Sequence, residues 1–212
     1  MYPISIVDNF FEDPDSVANL SKNLNYLSSP GGTWPGVRSD NLHLINWRLF
    51  DSICRKISHI FYPICENWTY QISFQRVMPF SENPYDKKNC GWIHKDKTNF
   101  GGVIFLTREP DNDTGVTIYK SKSGYFSMTS QEEQIKNRHF LGDTVDDDIF
   151  NQFYNTYHNQ FEETIKIKNI YNRLVLFNSG TLHAVQTYGT KERLTIPFFN
   201  TNISNKLPPL YR

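Results

Sequence analysis

Net charge is the first thing this 212-residue chain lacks: 22 basic residues balance 22 acidic ones. No electrostatic footprint for nucleic acid follows from such a composition. Long apolar runs are missing too, and none approaches the roughly 20 residues a membrane span needs. The opening Met-Tyr-Pro-Ile-Ser-Ile-Val-Asp has neither the basic nor the apolar region of a signal peptide. Cysteine is scarce. Cys54, Cys65 and Cys90 form an odd set at no disulfide-like or metal-like spacing, which argues for reduced thiols and a cytoplasmic setting. Alanine occurs twice against 21 asparagines, a bias of A/T-rich codons that carries nothing about mechanism. No internal repeat and no low-complexity linker divides the chain, so residues 1–212 are read as one domain.

What the chain does have is aromatic side chains, 15% of residues within a hydrophobic fraction of 38%. Rings of this size suit a pleated sheet better than a slender helix bundle. Residues 1–66 read as helical support. A short strand over 2–8 comes first. Asp13-Pro14-Asp15 supplies an N-cap, a proline at the first helical position and an acid in the first turn, and Val17, Leu20, Leu24 and Leu27 follow at helical spacing. Residues 29–41 read as a Gly/Pro/Ser loop. A second helix is predicted from Trp47 to Phe61, with Leu49, Ile53, Ile57 and Ile60 on one face and Pro63 ending it. From Trp68 the period falls to two. Strands are predicted at 101–107, 115–119, 174–177, 183–188 and 194–199, with a tight turn at Asn178-Ser179-Gly180-Thr181. Residues 120–162 read as an insertion, partly helical, in which Asp143 to Asp148 form a solvated turn or a lid. Phe150, Phe153, Tyr154 and Tyr157 share one side of a helix there. The expectation is an α+β chain, mainly β, with an antiparallel barrel or sandwich over 67–200 and helices on one outer face.

One constellation carries chemistry. His94 and Asp96 are two apart, so on an extended segment they point to the same side, with Cα atoms roughly 6.5–7 Å apart. An imidazole and a carboxylate so placed can share a cation. Among the remaining histidines, His59 lies in a helical pattern, His43 precedes it, and His139 and His158 fall in the insertion. Only His183 opens a strand just past a tight turn. Two neutral imidazoles and one carboxylate hold Fe(II) with three positions open on one face. A 2-oxo acid can chelate through two of them, leaving one for O2. Its far carboxylate then calls for a planar, permanently cationic partner, and Arg193 stands ten residues after His183. Thr195 shares the face of Arg193 and adds a hydroxyl donor.

This pattern resembles the Fe(II)- and 2-oxoglutarate-dependent oxygenases: His-x-Asp, a distal His, then Arg-x-Ser/Thr about ten residues on. The opening Ile6-Val7-Asp8-Asn9-Phe10-Phe11, the stretch Trp34-Pro35-Gly36-Val37-Arg38 and the run Tyr171 to Asn178 are similar to small prolyl-hydroxylase-like members from phages and marine bacteria. The resemblance covers nearly the whole chain and is weakest over 120–162. It implies a double-stranded β-helix (jelly-roll) core. It also implies Fe(II) on His94, Asp96 and His183, with 2-oxoglutarate as co-substrate and hydroxylation of a small-molecule or peptidyl substrate as the outcome. Tyr85, nine residues before His94, is implied as a further donor to the co-substrate carboxylate.

Trp92, two residues before His94, is expected either to line the substrate pocket or to sit in the core. Arg38 can bind an anionic substrate group or be a solvated loop charge. Two rival readings stay open at this point. One is a metal hydrolase or isomerase on a cupin-like barrel. The other is a non-catalytic jelly-roll binding module with a vestigial site.

Overall fold

The change of period at Trp68 marks where the chain enters its main run of strands. In the computed structural model, which describes residues 4–61, 68–124 and 127–203, these are β4 (Trp68–Ile72), β5 (Gln75–Val77), β6 (Phe100–Phe105) and β7 (Val116–Ser121). After two helices come β8 (Phe161–Ile167), β9 (Leu174–Asn178), β10 (Leu182–Val185) and β11 (Arg193–Ile203). The N-terminal part contributes β1 (Ser5–Val7), β2 (Tyr26–Ser28) and β3 (Val37–Ser39). They form two antiparallel sheets. The larger runs β1-β9-β6-β11-β5-β3-β2, with β4 also on β11, and the smaller runs β10-β7-β8. The fold is mainly β, a double-stranded β-helix core with the N-terminal helices packed on one face. Among the described residues no helix is long and apolar enough to cross a membrane.

Helix α1 (Pro14–Leu20) starts as its sequence dictates, with Asp13 accepting from the Ser16 N–H at 3.0 Å and Pro14 at the first position. It stops at Leu20 rather than running to Leu27. Ser21 turns its hydroxyl back onto the Ala18 carbonyl at 2.7 Å, a short 3-10 turn follows, and Leu24 is extended. The segment 26–28 gains ladder bonds to 37–39 instead, so the stretch expected to be loop over 29–41 contains a strand. Helix α2 (Leu42–Ile45) leads into α3 (Trp47–Phe61). Ile53 and Ile57 are fully buried, whereas Ile60 reaches solvent. Pro63, Cys65 and the first residues of the expected strand at 2–8 lie outside the described residues.

Three apolar clusters hold these layers. One joins Val17 of α1 and Ile53 and Ile57 of α3 to Tyr70, Phe100, Leu176 and Phe198 on the outer face of the larger sheet. Burying each such side chain stabilises by about 1.5–3 kcal/mol. A second lies between the sheets, where Val103, Phe105, Val175 and Phe177 meet Val116 and Ile118. The third packs the 120–162 segment against the chain near residue 92. That segment is more regular than its sequence suggests. It forms α4 (Ser130–Leu141), opened by a capping box of Thr129 and Glu132 and closed by Gly142 in the left-handed region, and α5 (Asp147–His158). In the acidic run Asp146 caps α5, accepting from the Asp148 and Ile149 N–H groups, and Asp147 and Asp148 lie at the positive end of that helix. Phe150 and Tyr157 pack on Trp92, and the Tyr157 hydroxyl donates to the Ile93 carbonyl at 2.7 Å. Strand β8, not expected from its run of Glu, Thr and Lys, is an edge strand whose charges face solvent.

His139 of α4 is buried between Phe80 and Phe150, at ring distances of 4.4 and 4.8 Å, with Nε2 donating to the Lys88 carbonyl. Burial lowers its pKa from 6.5 to about 4, so native His139 stays neutral where the unfolded chain is already protonated. The unfolded state then binds more protons between pH 6.5 and about 4, and stability falls as pH falls through that window. Urea midpoints at pH 7 and pH 5 should show this loss. His139→Gln should reduce the slope by up to about 1.4 kcal/mol per pH unit. An unchanged slope would mean that His139 is not held neutral.

Candidate metal centre

The backbone brings His94 and His183 together before any side chain is considered. They face each other in an isolated antiparallel bridge, each N–H donating to the other's carbonyl at 3.0 Å. Gly91 extends the contact, its N–H donating to the Val185 carbonyl at 3.0 Å. A Cβ on Gly91 would lie 2.6 Å from that oxygen, so this close approach needs glycine. Further on, the Asp96 N–H donates to the Ser179 carbonyl at 2.9 Å, in the tight turn 178–181. The segment carrying His94 and Asp96 is thus laid along β10 and its turn, and α5 clamps it from behind through Tyr157.

The side chains converge on one point. One donor atom from each of His94, Asp96 and His183 lies within 4.8 Å of the others. Asp96 places one oxygen 3.7 Å from His94 Nε2 and the other 3.6 Å from His183 Nε2. Such spacings suit donors sharing one ion at metal–ligand bonds of about 2.0–2.2 Å. Each imidazole is oriented by a backbone carbonyl: His94 Nδ1–H donates to Trp92 at 2.8 Å and His183 Nδ1–H to Thr181 at 2.9 Å. That fixes the tautomer and turns the Nε2 lone pairs toward Asp96. Burial lowers the His183 pKa to about 4, with His94 adding to the effect, so the ring is a neutral donor. His183 packs 4.4 Å from the Phe177 ring, while His94 is half-exposed at the mouth.

These groups open into a cavity of about 710 Å³ that also contains Arg193, Thr195, Tyr188, Trp92 and Arg38. Arg193 is 5% exposed, and its Nε donates to the Thr114 carbonyl at 3.1 Å. Among the described residues no carboxylate pairs with it, and its Nη groups make no hydrogen bond. Burial lowers its pKa to about 10, with Tyr188 opposing, so it remains a cation at neutral pH. Thr195 is fully buried, and its hydroxyl has no partner among the described residues. Both residues stand on β11, two apart and on one face. A buried guanidinium with no acid beside it and a buried hydroxyl with no partner among the described residues are what a second carboxylate-bearing molecule would satisfy.

The sequence-predicted residues divide cleanly. His94, Asp96, His183, Arg193, Thr195 and Arg38 line the same cavity. Trp92 lines it too, but is 2% exposed and belongs to the aromatic cluster with Phe150 and Tyr154; its contribution to the centre is the carbonyl that holds His94. Tyr85 is not brought there. The Asn83 side chain caps the Tyr85 N–H at 3.0 Å, and this turn throws the ring outward, 73% exposed, beside a separate cavity of about 350 Å³. The tyrosine near Arg193 is instead Tyr188, 3% exposed, its pKa raised by burial and opposed by Arg193. Sequence reasoning missed it, because a tyrosine ending a strand has no mark separating it from core.

A model of a family described only as being of unknown function, DUF6445, matches residues 1–192. No curated protein matches the chain. Among solved structures it is similar to HygX from Streptomyces hygroscopicus with nickel, 2-oxoglutarate and hygromycin B bound, at 11% identity and TM-score 0.56 over 93% of this chain and 82% of that one. It is also similar to a Trichoplax adhaerens prolyl hydroxylase in complex with a hypoxia inducible factor peptide fragment, at 12% identity and TM-score 0.52 over 93% and 83%. A 2OG-Fe(II) oxygenase family oxidoreductase from Burkholderia pseudomallei matches at 13% identity and TM-score 0.50, over 93% and 84%. At these identities what is shared is the fold, that of the Fe(II)- and 2-oxoglutarate-dependent oxygenases.

Proposed function

We propose that this chain, which belongs to the DUF6445 family of unknown function, is an Fe(II)- and 2-oxoglutarate-dependent dioxygenase that hydroxylates an unactivated C–H bond of an organic substrate. The observation carrying this reading is that one cavity holds both a His94–Asp96–His183 donor set and, among the described residues, a buried Arg193 with no acid beside a buried Thr195 hydroxyl with no partner. Either alone is common; together they match the needs of a metal and a dicarboxylate.

His94, Asp96 and His183 would hold Fe(II) and leave one side of it open. When bound, Fe(II) with 2-oxoglutarate and O2 supplies the oxidising power, with succinate and CO2 as the co-products. Arg193 would take the far carboxylate of 2-oxoglutarate through its Nη donors, with Thr195 donating its hydroxyl. The Trp92 and Thr181 carbonyls keep both imidazoles aimed, and burial keeps His183 neutral. Val103 and Val116 line the inner wall, and the Phe105 ring lies 5.4 Å from the Arg193 guanidinium, so apolar groups surround the Arg193 end. HygX, of the same fold, holds nickel and 2-oxoglutarate, which supports both groups. A hydrolase on the same barrel has no use for a buried, unpaired Arg193. The structural neighbours hold hygromycin B in one case and a peptide in the other, so the fold does not choose a substrate class.

Anaerobic addition of Fe(II) and then 2-oxoglutarate should produce a weak visible charge-transfer band, and neither addition alone should. Well-folded protein that gives no band would overturn the reading. Succinate release screened across candidate substrates, with the mass change read on each, then identifies the target.

A further inference from the structure

A second cation in the cavity has no hydrogen bond or ion pair among the described residues. Arg55, Arg76, Arg108, Arg138 and Arg173 each lie against a carboxylate, and Arg48 is in solvent. Among the described arginines that leaves Arg193, assigned above to the co-substrate, and Arg38. Among the described residues the Arg38 side chain makes no hydrogen bond or ion pair, and its Nε is buried without an acceptor. Its guanidinium is covered by Trp34 at 4.5 Å and Phe199 at 5.5 Å. Rings so placed cover the planar group and leave the edge donors to whatever enters the cavity.

Register places this group relative to the co-substrate seat. Arg38 on β3 pairs with Gln75 on β5, and Gln75 pairs with Thr195 on β11, so the three form one row across the sheet. Two strand spacings put Arg38 about 10 Å from Thr195 along that row. Gln75 donates to the Pro35 carbonyl at 2.8 Å and so pins the loop that presents Trp34 and Arg38. The lining as a whole carries five cationic side chains against two carboxylates, Asp96 and Glu133. A low-dielectric cleft with this balance concentrates anions.

We propose that Arg38 is the seat for an oxyanion, a carboxylate or a phosphate, carried by the organic substrate. The word substrate rests on the oxygenase reading; the oxyanion seat does not. Burial lowers the Arg38 pKa only to about 10, with Asp96 opposing, so the group is charged at neutral pH. An entering oxyanion would receive two parallel N–H donors from one planar fork.

The test is a titration with hexanoate, hexyl phosphate and hexylamine, read by calorimetry and by Trp34 emission, with Trp34→Phe as the blank. One arm uses Mn(II)-loaded protein saturated with 2-oxoglutarate, and the other uses metal-free Arg193→Gln. Either anion should bind saturably in both arms while the amine does not, and Arg38→Gln should weaken anion binding roughly 10- to 100-fold. The tighter anion identifies the substrate group. Absence of saturable anion binding, or unchanged affinity in Arg38→Gln, overturns the proposal. So does anion binding that disappears with Arg193→Gln, which would place the probe on the co-substrate seat. Should Arg38→Gln melt early, Arg38→Lys keeps the charge without the fork; it should lose severalfold in affinity, and equal affinity overturns the proposal. If 2-oxoglutarate fails to bind Mn(II)-loaded protein, the oxygenase reading falls, and the metal-free arm still decides Arg38.

Discussion

Replacing His183 by alanine should abolish tight divalent-metal binding while leaving the chain folded. Losing an outer partner of a metal ligand costs about 10–100-fold in affinity, so losing the ligand itself should cost more. A metal present at a hundred times its dissociation constant adds about 2.7 kcal/mol to stability, which for a chain of this length raises the melting temperature by roughly 5–10 °C. Mn(II) should produce such a shift in the parent protein and none in His183→Ala. Metal-free melting of the variant should fall only by an ordinary truncation cost, about 0.5–3 kcal/mol. Asp96→Asn removes a charge while preserving shape, and should lose the shift as well. A full Mn(II) shift in either variant would mean that the cation binds elsewhere.

Arg193→Ala should separate co-substrate from metal. Arg193 meets no metal-ligating side chain and is held by the Thr114 carbonyl instead, so its loss should leave Mn(II) affinity unchanged. The far carboxylate of 2-oxoglutarate would lose its only buried cationic partner on that strand. Removing one member of a buried charged pair costs about 2–5 kcal/mol, which is roughly 30- to 5000-fold in the 2-oxoglutarate dissociation constant. Thr195→Val, which deletes one neutral hydroxyl, should cost closer to tenfold. Calorimetry on Mn(II)-loaded protein checks both. Equal loss of metal and co-substrate in Arg193→Ala would mean that the guanidinium supports the fold rather than the ligand.

Where a residue's placement follows from its near neighbours in sequence, it was legible. The Asp13-Pro14 start of α1, the Trp47–Phe61 helix and the alternation after Trp68 each rest on local propensity or a local period. His94 with Asp96, and Arg193 with Thr195, are pairs two apart, and a single extended segment is enough to put each pair on one face. The misreadings share a cause. Leu24 and Leu27 fit a helical period, but β2 was claimed by pairing with β3, in which Leu27 meets Arg38. The acidic run is exposed, as a solvated turn should be, but its second role as the cap and first turn of α5 depends on an amphipathic helix that its mixed composition disguised. Tyr85 stood at a plausible offset from His94, and a side-chain cap two residues earlier turned it away.

The sequence alone determined which side chains could serve a metal and a dicarboxylate, because ligand chemistry and charge belong to residue type. Only the tertiary structure decided that residues 94 and 183, distant in the chain, share a bridge, and that Tyr188 rather than Tyr85 stands near Arg193. It also left Arg38 and Arg193 as the two cavity arginines without an ion pair among the described residues. Pairing between remote strands and the burial of unpartnered groups are properties of the packed chain, and no local period in the sequence encodes them.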